Sequence, residues 1–247
     1  MKSFSLNDKG WHFADSRQDL YEQIRMKTSA TITFLILFLT SLSGQNNPDP
    51  GRFAKAIDDF RKEDTAGKRI SNLTLFTGSS SIRMWASLKE DFPELNVLNR
   101  GFGGSHLSDL LHYFDIVVAR HKPETIVIYC GENDLWSGKS PERVYGDFRK
   151  LVERIHGILP KTKIHYLACK PSPKRFEKWQ IYQACNKLIK DHCAKDRRLN
   201  FIDVSQVMLG DGGQPFPEIW KKDKLHMNAA GYKLWTKLLT PILMVKK

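Results

Sequence analysis

The chain has 247 residues, of which 41% are hydrophobic and 27% charged, and its formal net charge is +12. This is the composition of a globular protein with room for a sizeable core, and it does not indicate disorder. Lys and Arg are scattered among acidic residues without a basic stripe or a stacking motif, which argues against a nucleic-acid partner. The four cysteines, at positions 130, 169, 185 and 193, form no CxxC pair and have no metal-ligand spacing, so we expect no bound metal.

The first 44 residues divide into two parts. Residues 1–25 are polar, and we interpret them as a non-native or cytoplasmic extension upstream of Met26 as the true initiator. In residues 26–44 a lysine precedes an apolar run from Ile32 to Leu39, which small residues follow. This order is typical of a signal peptide, and the run is shorter than the roughly 20 apolar residues that span a membrane. We expect an exported protein, periplasmic or secreted, that contacts a membrane only if residues 30–43 remain as an anchor.

From residue 50 onward, short apolar runs alternate with amphipathic helical patterns. The apolar runs predict five strands, at 73–76, 96–99, 125–130, 163–169 and 199–204. The helical patterns lie at 53–64, 107–120, 141–158, 177–195 and 229–243. Alternation without internal repeats favours a parallel sheet covered by helices on both faces, in one domain over residues 50–247.

Four polar segments follow predicted strands, and in a parallel sheet they share the carboxyl edge, where sites form. They are GSSS (78–81), RGFGGS (100–105), GENDLW (131–136) and DKLHMN (223–228). Acyl transfer needs a hydroxyl nucleophile, an imidazole base, an orienting carboxylate and donors to the oxyanion, and the segments contain each part. Asp223 and His226 are three residues apart, so a compact turn can pair them. Gly104 permits close backbone approach, and the side chain of Asn133 can donate an N–H.

Each of these residues also has an ordinary structural interpretation. A serine after a strand can cap a helix, and the glycines of RGFGGS can simply permit a tight turn. Asn133 is a good turn residue, and Asp223 can cap the last helix. The co-occurrence of all four segments, rather than any one of them, favours the catalytic interpretation.

The four segments resemble those of the SGNH hydrolases, also called GDSL-type esterases and lipases, over about residues 70–243. The resemblance implies an α/β fold, a flavodoxin-like three-layer α/β/α sandwich with a five-stranded parallel sheet. It implies Ser80, the third residue of GSSS, as the nucleophile, His226 as the base and Asp223 as its partner. No metal or organic cofactor is implied.

The resemblance also implies three oxyanion donors. These are the backbone N–H of Ser80, the backbone N–H of Gly104 and the side chain of Asn133. Ser79 and Ser105 stand where many family members have Asp, at positions without a catalytic role in the family. Because serines flank Ser80 on both sides, the register of the nucleophile depends on the resemblance.

Aromatic residues near the same edge are candidates for substrate binding. The segment KPSPKRFEKW (170–179) follows the fourth predicted strand and should arch over the carboxyl edge. Its Phe176 and Trp179 are candidates, together with Trp85, Trp136 and His106. The chain has no room for a large lid domain, so a shallow site for short acyl groups is expected.

The favoured function is therefore an exported serine esterase that hydrolyses short acyl or acetyl esters on small molecules or carbohydrate. A non-catalytic glycan-binding module on the same fold is the first alternative. A flavin- or phosphate-binding flavodoxin-like protein is the second, but it leaves the spacing of Asp223 and His226 unexplained. The acyl group, the alcohol and the oligomeric state remain open at this level.

Overall fold

The computed structural model describes residues 47–66 and 70–244. The interpretations of residues 1–25 and 26–44 therefore lie outside the described residues. Within the described part of the chain, no helix is both long and apolar enough to cross a membrane.

Five parallel strands form one sheet in the order β2-β1-β3-β4-β5. They are β1 (Leu73–Gly78), β2 (Asn96–Gly101), β3 (Thr125–Tyr129), β4 (Lys163–Leu167) and β5 (Leu199–Ile202). Nearly every residue of the central strands is buried, as expected for a parallel sheet with both faces covered. The predicted five-stranded parallel sheet is confirmed, and its strand order is that of flavodoxin-like folds.

Nine α-helices connect and cover the strands within the described ranges. They are α1 (Ala54–Ala66), α2 (Ser80–Arg83), α3 (Leu88–Asp91), α4 (Leu107–His112), α5 (Phe114–Val117), α6 (Glu132–Trp136), α7 (Pro141–Ile158), α8 (Trp179–Cys193) and α9 (Ala229–Leu243). Short 3-10 helices lie at Pro50–Phe53, Ala119–His121, Pro173–Lys178, Gln206–Met208 and Pro217–Ile219.

Two predicted helices differ from those in the structure. The pattern at 107–120 becomes α4, α5 and a 3-10 turn, because Tyr113 (φ −94°, ψ 17°) and Val118 (φ −131°, ψ −65°) leave the helical conformation. The pattern at 177–195 begins earlier, as a 3-10 helix in which Arg175 is non-helical (φ −125°, ψ 17°). At 107–120 the hydrophobic periodicity continues across the breaks in the backbone, so the pattern alone does not reveal them.

The core lies in two layers, one on each face of the sheet. Alternate strand residues point to opposite faces, so that Leu75 and Ile126 join one layer while Phe76 and Val127 join the other. The first layer is completed by α1, α4, α5, α7 and α8, and the second by α2, α3 and α9. This arrangement is the expected three-layer α/β/α sandwich.

Strand β1 ends at a close approach to β3. Gly78 has φ +125°, and a Cβ at this position would lie 2.0 Å from the carbonyl oxygen of Tyr129. The same oxygen accepts a hydrogen bond from the backbone N–H of Ser79 at 2.8 Å. Only glycine fits this conformation and space, and it lets α2 begin directly beside the end of β3.

We therefore expect Gly78→Ala to lower the free energy of unfolding by about 3 kcal/mol, through backbone strain and the clash with Tyr129. The matched control is Gly146→Ala in α7, where an added Cβ meets no atom within 4 Å. Alanine favours a helix interior by up to about 1 kcal/mol, so the control should be neutral or stabilising. Urea unfolding monitored by circular dichroism measures both, and equal stability of the two variants would contradict the close approach.

Candidate active site

Ser80, His226 and Asp223 form a continuous hydrogen-bonded series. The Oγ of Ser80 lies 2.9 Å from Nε2 of His226, and Nδ1 of His226 lies 2.7 Å from Oδ2 of Asp223. Ser80 is the first residue of α2, two positions after the last residue of β1, and the other two come from the loop before α9. The geometry lets the imidazole accept the serine proton while its other nitrogen donates to the carboxylate.

The carboxylate of Asp223 is held by its own loop. Its Oδ1 accepts the backbone N–H groups of Leu225 and His226, both at 2.9 Å. Partial burial raises the pKa of Asp223, but the hydrogen bonds from His226 and Leu225 outweigh this and hold it well below its usual range. Asp223 therefore stays ionised and orients the ring of His226.

The sequence-predicted oxyanion donors face the same cleft as the nucleophile. This cleft has a volume of about 290 Å³ and is lined by Ser80, Arg83, Gly103, Gly104, Asn133, Arg175, Leu225 and His226. Gly104 has φ +87°, and no atom lies within 4 Å of where its Cβ would stand, so its main chain borders open space. Asn133 reaches the cleft from α6, after β3. The structure thus brings together the four lining residues that the sequence singled out, with Asp223 behind His226.

The predicted substrate-binding residues do not line this cleft, and Trp85 requires a correction. Its side chain is only 1% exposed and packs against the rings of Phe92 and Trp235, while its Nε1 donates to Asp91 at 2.6 Å. Trp85 lies in the loop between α2 and α3, and burial stabilises its large ring. Trp85 is a core residue and cannot contact a substrate.

His106 is also placed away from the cleft surface. The residue is 7% exposed, and its Nδ1 lies 3.5 Å from Oδ1 of Asp134. Burial, assisted by the charge of Lys139, lowers the pKa of His106 to about 3. The imidazole is therefore neutral at physiological pH, and it is buried instead of lining the cleft.

The remaining three aromatic candidates lie outside the cleft. The cationic groups of Arg175 and Lys178 lie over the Trp136 ring, at 5.1 and 5.2 Å from its centroid. Trp136 does not line the cleft itself, but it contacts Arg175, which does. Phe176 stacks on Trp179 with centroids 6.3 Å apart, and it lines a separate groove. The segment 170–179 does reach the site, but it does so with an arginine.

Sequence reasoning missed Arg83 and Arg175. Arg83 is three residues after Ser80, one turn along α2, and this spacing is a signal that could have found it. Arg175 lies inside the segment predicted to arch over the edge, next to the aromatic candidate Phe176. The guanidinium groups of both residues line the cleft and add positive charge to it.

A buried carboxylate, Glu132, underlies the site. It is 3% exposed, and it accepts hydrogen bonds from Lys170 Nζ at 2.6 Å, from Arg175 Nη1 at 3.1 Å and from the hydroxyl of Tyr129. Burial raises the pKa of Glu132, but the charges of Lys170 and Arg175 outweigh it and leave the pKa below its usual value. Glu132 is therefore an anion that forms ion pairs with two cations, Lys170 and Arg175.

This anion fixes the orientation of the Asn133 side chain. The Nη1 atom of Arg175, held by Glu132, also donates to Oδ1 of Asn133 at 3.0 Å. A guanidinium can only donate, so the amide oxygen faces Arg175 and the amide nitrogen faces the other way, toward the carbonyl of Ser105 at 3.2 Å. The carboxamide is thus pre-set with its N–H groups toward the second loop and the cleft.

A parallel α/β/α sandwich with a serine, an imidazole and a carboxylate in series at its carboxyl edge defines the SGNH class of hydrolases. The profile of the GDSL-like lipase/acylhydrolase family matches residues 65–234, and the chain belongs to this family. It is accordingly a hydrolase that acts on ester bonds.

Solved structures show the same fold. A Streptococcus pneumonia protein, provisionally described as a platelet activating factor, superposes with a TM-score of 0.69 at 21% identity, covering 86% of this chain and 99% of that one. A Bacteroides fragilis protein, provisionally described as an acylhydrolase, gives 0.65 at 19% identity, covering 80% and 98%. An acetylxylan esterase from Geobacillus stearothermophilus, solved as a catalytic mutant, gives 0.59 at 15% identity, covering 72% and 98%. No curated protein sequence gives a significant match.

The buried ion pair predicts a large stability effect. Lys170→Met removes the cation that lies nearest to Glu132. Because this breaks a buried ion pair, the free energy of unfolding should fall by about 3 kcal/mol. The control is Lys187→Met, which breaks an exposed pair with Asp191 and should cost less than about 1 kcal/mol. Urea unfolding separates the two, and a loss at Lys170 no larger than at Lys187 would show that the buried charge is not needed for stability.

Proposed function

We propose that the chain is an exported serine esterase that cleaves short-acyl carboxylic esters through an acyl-enzyme on Ser80. The series from Ser80 through His226 to Asp223 is the observation that carries this proposal. Export is proposed from the residue order in 26–44 alone.

In the first half of the reaction, Nε2 of His226 takes the hydroxyl proton as Oγ of Ser80 bonds to the ester carbonyl carbon. The carbonyl oxygen becomes an oxyanion, for which Asn133 and the backbone N–H groups of Ser80 and Gly104 are the proposed donors. Asp223 stabilises the imidazolium that forms.

The intermediate then collapses. The bond between the carbonyl carbon and the alcohol oxygen breaks, and the imidazolium of His226 returns its proton to the leaving alcohol. Water, deprotonated by the same imidazole, attacks the acyl-enzyme and releases the acid, which regenerates Ser80. Each proton taken by His226 is given back within the same half-reaction.

The size of the cleft supports a short acyl group. Its volume of about 290 Å³ is at the low end for small-molecule sites. Acetyl groups on carbohydrate are included in the proposal, and the acetylxylan esterase with the same fold supports that choice.

Substitution of the nucleophile tests the proposal. Ser80→Ala should abolish hydrolysis of p-nitrophenyl acetate, because no other hydroxyl is hydrogen-bonded to His226 in the described structure. Ser79→Ala and Ser81→Ala are matched controls, since both side chains are buried beside the nucleophile, and both variants should retain turnover.

A fluorophosphonate probe followed by peptide mass analysis gives a second readout, with the adduct expected on Ser80. Unchanged turnover in Ser80→Ala would overturn the assignment. The absence of an adduct, together with measurable saccharide binding, would favour the non-catalytic glycan-binding alternative.

If Asn133 donates to the oxyanion, its substitution should change kcat. Asn133→Ala should lower kcat for p-nitrophenyl acetate by about 10²–10³-fold with little change in KM, as expected for the loss of one donor. Arg175→Met should also lower kcat, because Arg175 Nη1 holds the amide oxygen of Asn133.

A double-mutant cycle separates this positioning effect from a general structural one. If Arg175 acts through Asn133, the double variant should be no slower than Asn133→Ala alone. Fully additive losses in kcat would contradict that coupling, and a loss confined to KM would contradict the role of Asn133 in stabilising the oxyanion.

A further inference from the structure

Arg83 lines the cleft beside Ser80 without a partner of its own. It is exposed, and across residues 47–66 and 70–244 no side chain or carbonyl forms a hydrogen bond or ion pair with its guanidinium. The other arginine of the cleft, Arg175, is by contrast held by Glu132 and Asn133. Arg83 therefore keeps its donors available to a ligand in the cleft.

The absence of a side chain at Gly103 leaves the space that the guanidinium of Arg83 occupies. A Cβ on Gly103 would lie 2.7 Å from Nε of Arg83 and 3.2 Å from Nη2. Gly103 is not among the glycines with positive φ, so its backbone conformation would accept other residues. The guanidinium of Arg83 occupies the space beside the Gly103 main chain, next to the proposed oxyanion donor Gly104, and a side chain at position 103 would displace it.

Arg83 gives the cleft a positive charge that no carboxylate of the described residues pairs with, whereas the charge of Arg175 is paired with Glu132. Among the residues that the structure describes, no acidic side chain lines the cleft, whereas two guanidinium groups do. The nearby carboxylates are already engaged: Glu132 binds Lys170 and Arg175, and Asp223 binds His226. An ester that brings its own negative charge would be attracted to this cleft and steered into it.

Positive charge continues beyond the cleft. A neighbouring groove is lined by Phe176, Trp220 and three lysines, Lys221, Lys222 and Lys224, and by no acidic residue of the described ranges. Lys224 adjoins Leu225, which lines the cleft, so the groove leads away from the site along the loop that carries His226. A longer anionic substrate would meet further cations along this path.

We propose that the ester hydrolysed by this enzyme carries an anionic group, carboxylate or phosphate, which the guanidinium of Arg83 binds while the scissile carbonyl sits at Ser80. A planar guanidinium donates two parallel hydrogen bonds to either group, and such charge-assisted bonds are stronger than neutral ones. This inference rests on the proposed esterase function and specifies its substrate class.

Pairs of esters that differ in charge test the inference. On the acyl side, mono-p-nitrophenyl succinate is compared with p-nitrophenyl butyrate. On the alcohol side, two anionic esters, meta-acetoxybenzoate and meta-acetoxyphenyl phosphate, are each compared with the neutral meta-acetoxybenzamide. We expect kcat/KM to favour the anionic member of at least one comparison by about tenfold or more, and the arm that shows it identifies carboxylate or phosphate.

Variants of Arg83 show whether that preference arises there. Arg83→Gln should reduce the ratio of anionic to neutral kcat/KM to near one, and Gly103→Leu should reduce it by displacing the guanidinium. The matched control, Arg197→Gln, changes an exposed arginine before β5, at the opposite edge of the sheet, and should keep the wild-type ratio. Added salt should lower the wild-type ratio by screening the charge.

The inference is overturned if the wild type shows no anionic preference in any pair, or if Arg83→Gln retains it. The esterase function is tested separately: the wild type should hydrolyse the neutral p-nitrophenyl butyrate, and Ser80→Ala should not. An enzyme that passes this second test and fails the first would be a serine esterase without charge selection.

Discussion

The parallel pairing of β1 with β3 is the constraint on which the site depends. Gly78 at the end of β1 pairs with Tyr129 at the end of β3, so both strands stop at the same level. The chain leaves β1 toward Ser80 and leaves β3 toward Asn133, at the point in the sheet where the strand order reverses. Two groups that are more than fifty positions apart along the chain therefore face one cleft, and a glycine is required where the strands press together.

Two carboxylates support the cleft by different physical means. Asp223 is half exposed and is kept ionised by hydrogen bonds within its own loop. Glu132 is buried, so desolvation opposes its charge, and only Lys170 and Arg175 make the anion favourable. The first carboxylate orients an imidazole, and the second holds the guanidinium that orients the amide of Asn133. Both pKa values lie below their usual range, although only Glu132 depends on the packing of distant segments.

The sequence predicted the sheet and the location of the site because both follow from local patterns. Apolar runs separated by amphipathic segments predict strands and helices, and polar segments after parallel strands must share an edge. The surroundings of the aromatic candidates could not be predicted, since an aromatic side chain gives the same local signal whether it is buried or exposed. Trp85 went to the core, and Trp136 became a platform for Arg175 and Lys178.

The sequence by itself determined the α/β alternation, the four polar segments and the residue types that acyl transfer requires. Tertiary structure alone decided that Lys170 meets Glu132 across 38 positions, and that Arg175 and Arg83 rather than aromatic rings border the nucleophile. The reason is physical: periodicity records which side of an element is apolar, whereas the pairing of charges depends on distances between segments that only the folded sheet brings together.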